Sequence, residues 1–106
     1  MDRKTETVNL GKRNVLVREL TPRELDAWLA PNFKGKEYPG IVDELYAEKL
    51  LSGDVILMTT DIEPDDLLDI PPHKMELVCQ RIKALNPFFV RMLERSTNQL
   101  LTAEKQ

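Results

Sequence analysis

Five acidic side chains crowd one short stretch at Asp61, Glu63, Asp65, Asp66 and Asp69, and alternating carboxylates are how a calcium loop surrounds its ion with oxygen. The spacing fails that test. The sixth position holds no glycine, Pro64 interrupts the run, and no glutamate closes it at the twelfth. A solvated acidic face is what such a run ordinarily makes. His73 is the sole histidine, and no cysteine or second histidine stands at metal-ligand spacing from it. It reads as a solvated first-turn residue, with none of the partners that orient a ligand or general base. Cys79 has Met75, Val78 and Ile82 as helical neighbours, an apolar setting that suppresses thiolate formation.

With four glycines in 106 residues, the chain offers no phosphate-cradling loop and no nucleophile elbow. The expectation is a protein without catalytic residues, metal or cofactor. What remains is a pair of adjacent aromatics, Phe88 and Phe89, directly after Asn86-Pro87. A helix turns neighbours about 100° apart, so one phenylalanine can enter a core while the other faces elsewhere. Two readings stay open for Phe88. It closes the corner made by Asn86-Pro87, or it stays exposed to receive another polypeptide, together with Met92, Arg95 and Leu100 further along the helix.

The elements that must position these residues follow from local pattern. TETVNL and VLVREL, separated by GKRN, predict a β-hairpin at roughly 5–10 and 14–20, with Val15 and Val17 on one face. Two strands alone are marginal, so the hairpin must lie on helices or join strands of another copy. In TPREL, Thr21 as N-cap, Pro22 in the first turn and Glu24 three residues after the cap announce a helix. Leu25, Trp28 and Leu29 give it one apolar stripe, and it ends near Ala30-Pro31. NFKGKEYPG is a loop whose Phe33 and Tyr38 tuck back onto the body.

Ile41, Val42, Leu45, Tyr46 and Leu50 suit a helix over 41–51, closed by Ser52-Gly53. Asp54 then caps VILMTT, whose β-branched content suits either helix or strand, with helix the expectation here. A helical turn follows Glu63-Pro64, with Leu67 and Leu68 inward. From Pro72 to Leu85 the residues Met75, Val78, Cys79, Ile82 and Leu85 make a strong apolar stripe. Asn86 ends that helix and caps the last, which runs from 87 to about 101. The fold expected is α+β but mostly α: an N-terminal β-hairpin, then four or five short helices, the last two an antiparallel pair. Residues 1–106 form one domain, frayed at 1–4 and 102–106.

Net charge is −3, unevenly spread: residues 1–23 carry +3, residues 24–69 carry −9 and residues 70–106 carry +3. An acidic middle argues against nucleic acid as partner, and it allows the ends of one copy to meet the middle of another. The N-terminal sequence lacks an apolar signal segment and no window is long enough to cross a membrane. A cytoplasmic protein is expected.

Three strings taken together carry a family resemblance. Leu20, Thr21, Glu24, Trp28 and Leu29, then Thr60, Asp61, Ile62, Leu68 and Pro71, then Ile82, Lys83, Asn86, Pro87, Phe88 and Phe89 resemble the motifs of the small tail assembly chaperones of Mu-like and other long-tailed bacteriophages and prophages. The likeness spans most of residues 15–93. In the family the paired aromatics often follow Asn-Pro after one intervening residue, whereas here they follow at once. The resemblance implies a non-catalytic chaperone that coats the helical tape measure protein before the tail tube forms around it, and that self-associates. Two other roles fit the same composition: a structural head-tail or tail component retained in the virion, and a small acidic regulator directed at a host protein.

Overall fold

The computed structural model describes residues 3–46 and 51–104, with side chains described as far as residue 95. The chain opens with a hairpin of β1 (Thr5–Asn9) and β2 (Asn14–Arg18), paired antiparallel with Thr7 opposite Leu16. Its turn passes through Gly11 at φ 95°, a left-handed conformation that side chains disfavour. Val15 and Val17 are fully buried, and Leu16 faces outward at 39% exposure. Both strands end earlier than their sequences suggest. Leu20 N–H is taken by the side chain of Asn86, which leads the chain out of the ladder and into the first helix.

Helix α1 (Pro22–Leu29) begins at the expected capping box: Glu24 N–H donates to Thr21 Oγ1, and the Glu24 carboxylate accepts from Thr21 N–H at 3.0 Å. Burial pushes the Glu24 carboxyl up, but hydrogen bonds from Thr21 and Arg3 outweigh it and hold the group below its ordinary value. The apolar stripe is narrower than predicted. Leu25 and Trp28 pack at the margin of the core, and Leu29 is exposed.

Helix α2 (Ile41–Leu45) follows the loop; its predicted continuation through 47–50, including Leu50, lies outside the described residues. Helix α3 (Gly53–Thr59) is capped by Ser52, whose side chain accepts from Val55 N–H. That corrects the assignment of the cap to Asp54, since Gly53 already belongs to the helix. The geometry behind the shift is a three-way clasp. Asp43 accepts from Gly53 N–H at 2.7 Å and from Tyr38 Oη at 2.8 Å, and a Cβ on residue 53 would collide with the Tyr38 ring. Burial, the Asp43 hydrogen bond and the nearby Asp54 charge push the Tyr38 hydroxyl up to about 12.

A 3₁₀ turn over Pro64–Leu68 precedes α4 (Pro72–Leu85) and α5 (Pro87–Glu104). Leu67 is buried and Leu68 is 56% exposed, a correction to the expectation that both point inward: a 3₁₀ turn rotates about 120° per residue, so neighbours cannot share a face. Every predicted position of the α4 stripe, from Met75 through Leu85, is buried. The helix α5 continues to Glu104, so residues 102–104, expected to fray, are helical. The molecule is a small α+β domain, 54% helical, with the hairpin laid across α4 and five helices following it. One cluster of buried side chains from β2, α2, α3, the 3₁₀ turn, α4 and the start of α5 makes the core, with Val8 of β1 and Leu25 and Trp28 of α1 packed against it.

Candidate functional site

The corner between α4 and α5 is where the two phenylalanines part. Asn86 is 4% exposed and its backbone serves both helices: its N–H donates back to Ile82 O, and its carbonyl accepts from Val90 N–H. Its side chain does something the Asn-Pro pattern does not announce. The amide oxygen accepts from Leu20 N–H at 2.8 Å, and the amide nitrogen donates to Ile82 O at 2.9 Å and Arg18 O at 3.3 Å. The corner is thereby fastened to the end of β2, which fixes the rotation of α5 about its own axis.

With that rotation set, Phe89 is 2% exposed and meets Trp28 edge-on, ring centroids 5.4 Å apart. Phe88 is 79% exposed. The corner-closing role is overturned: Asn86, rather than an aromatic ring, seals the junction, and the side of α5 that carries Phe88 has no element packed on it among the described residues. The Arg91 guanidinium lies 5.7 Å from the Phe88 ring centroid, close enough for a cation–π contact.

Phe88 overlooks a groove of about 530 Å³. One wall is Leu20, Pro22 and Leu25, the other is the corner from Ala84 to Phe89, and Lys4, Glu6 and Glu19 of the hairpin region add charge. Of the other residues expected to bind a partner, Arg95 is exposed. Met92 is half-buried against the core with Phe89, so it belongs more to the interior stripe than to the surface beside Phe88. The side chain of Leu100 lies outside the described residues.

The remaining candidates for chemistry have structural surroundings. His73 is exposed. Cys79 is buried among the apolar side chains of α4. Three of the acidic residues are tied to other elements: Asp61 accepts from Leu16 N–H at 3.0 Å, Asp66 pairs with Arg13 at 3.2 Å, and Glu63 pairs with Lys36 at 3.3 Å. No cluster of histidine, cysteine and carboxylate side chains with metal-binding geometry occurs among the described residues. Nor is any helix there long and apolar enough to cross a membrane.

Sequence reasoning found Phe88 but not its groove, because Leu20, Pro22, Leu25 and the hairpin charges come from the opposite end of the chain. Compared with known proteins, the chain matches no protein-family model, no curated protein and no solved structure.

Proposed function

We propose that this chain is a non-catalytic tail assembly chaperone of a bacteriophage or prophage, which binds the helical tape measure protein and keeps it soluble until the tail assembles. The observation that supports this reading best is Phe88, 79% exposed beside an apolar groove. An amphipathic client helix recognises such a surface by laying its apolar face into the groove, with Phe88 as a large anchor. The resemblance of the Asn86-Pro87-Phe88-Phe89 string to the family's motif supports the same reading. Contact per copy is small and therefore readily released, and many copies along one client supply the total. An acidic regulator mimicking nucleic acid has less support, because Asp61, Glu63 and Asp66 are engaged within the chain.

The test is co-expression with the tape measure protein and pull-down, comparing the wild type with Phe88→Ser. The variant is expected to fold normally and lose its client. Equal capture by both proteins overturns the reading. Mass spectrometry of finished particles separates it from a retained tail component, since a chaperone is expected to be missing from them.

A further inference from the structure

We propose that the open edge of β1 joins the same edge of a second copy, antiparallel and centred on Thr5, so that two hairpins become one four-stranded sheet. This goes beyond the client groove at Phe88 and needs no client. Hydrogen-bond phase defines the edge. Glu19 N–H donates to Lys4 O and Leu10 N–H to Arg13 O, both at 2.9 Å, so the even-numbered residues of β1 pair with β2. Alternation in an antiparallel ladder then turns the N–H and C=O of Thr5, Thr7 and Asn9 outward.

The two edges of the hairpin differ. At the edge of β2, Leu16 exchanges hydrogen bonds with Asp61, and Arg18 donates to Thr60 O. Chain from the far side of α3 occupies that edge. The edge of β1 has no such cover among the described residues, and its strand carries neither a proline nor a bulge; the charges of Lys4 and Glu6 beside it restrict which strand can pair there. Beside its C-terminal half lies a notch of about 390 Å³ between β1 and α4, lined by Thr7 to Asn9 on the strand side and by Leu77, Gln80, Arg81 and Ala84 on the helix.

Charge selects both the occupant and the register. Side chains two apart share a face of a strand, so Lys4 and Glu6 stand side by side with opposite sign; Glu6 is also held by Arg81 of α4 at 2.7 Å while its side chain stays half-exposed, so Lys4 of a second copy would join that ion pair. Run antiparallel against itself about Thr5, this strand sets Lys4 of each copy opposite Glu6 of the other, twice. Centred on Glu6, the two glutamates would face each other and repel; centred on Thr7, no charged pair forms. Cross-strand pairs of opposite charge stabilise and like pairs destabilise. A strand that is its own charge complement fits the self-matching contact of a two-fold dimer.

Sedimentation of the full chain over a range of micromolar concentrations tests this. Wild type is expected to dimerise. Lys4→Glu alone and Glu6→Lys alone each weaken the dimer about tenfold or more, since both pairs turn repulsive. An equimolar mixture of the two variants dimerises, because each then meets the opposite sign. Thr5→Pro abolishes the dimer while removing an N–H that the hairpin does not use, at a strand start where proline is tolerated. Unchanged thermal melting shows that it still folds. A wild type that stays monomeric, a mixture that fails to associate, or a folded Thr5→Pro that dimerises like wild type overturns the proposal. The monomeric Thr5→Pro variant, whose altered residue does not line the groove, is expected to retain client capture in the pull-down, which keeps this outcome separate from that of the Phe88 test.

Discussion

The two sides of the first turn of α5 carry the same side chain and meet opposite fates. On one, Phe89 is sealed against Trp28; on the other, Phe88 stands in solvent with only Arg91 near its ring. Composition and helix propensity are identical for both. What differs is whether another element packs on that side, and the rotation fixed by Asn86 decides which phenylalanine receives it. Burial converts one ring into stability. Exposure leaves the other available for a partner, because a large apolar group in water gains free energy only when something covers it.

The sharpest way to break this comparison is to truncate both rings. Phe89→Ala is expected to destabilise by about 3–5 kcal/mol, the range for large-to-small changes at fully buried aromatics, read as a shift in the denaturant midpoint. Asn86→Ala comes next. It leaves Leu20 N–H and Arg18 O without their partner at a buried site, a loss of about 1–3 kcal/mol, and it loosens the rotation of α5, so fluorescence of Trp28 is expected to change. Phe88→Ser is expected to alter stability by about 0.5 kcal/mol at most, as exposed substitutions usually do, while client capture falls. Arg91→Ala is expected to change stability by only about 0.5 kcal/mol, the low end for an exposed cation–π contact. A Phe88 variant as unstable as the Phe89 variant would erase the distinction between the two sides.

A different probe addresses the clasp at the other end of the molecule. The Tyr38 hydroxyl is raised from 10.0 to about 12 in the folded chain, so its contribution to stability is complete below pH 10, the unfolded value. It is lost as pH rises toward about 12, when the unfolded chain ionises more readily than the folded one. Tyr38→Phe is expected to flatten that decline in an alkaline melting series.

Local signals were legible where one short segment contains its own reason. Thr21 and Glu24 cap each other within three residues, and the α4 stripe needs only its own periodicity; both appear as expected. Asn86 is half legible: its backbone role follows from the proline after it, whereas two of its three side-chain partners lie 66 and 68 residues away, beyond any local pattern. For Leu29 and Leu68 apolar character predicts burial, but helical phase and the limits of a small core leave them outside. Asp54 competes with Ser52 as a cap by residue type but stands two residues too late. For the site, the exposure of Phe88 could not be decided from its own helix, since it depends on which parts of the N-terminal half arrive at the corner.

The side-chain amide of Asn86 also bears on how the molecule is made. The strand end it secures is synthesised well before it, Leu20 and Arg18 preceding residue 86 by 66 and 68 residues. Because a contact this distant in sequence must await closure of a long loop, the hairpin waits for its final fastening until that later segment has been made. Its exposed strand would then be open to neighbouring nascent chains before it is held by its own C-terminal half.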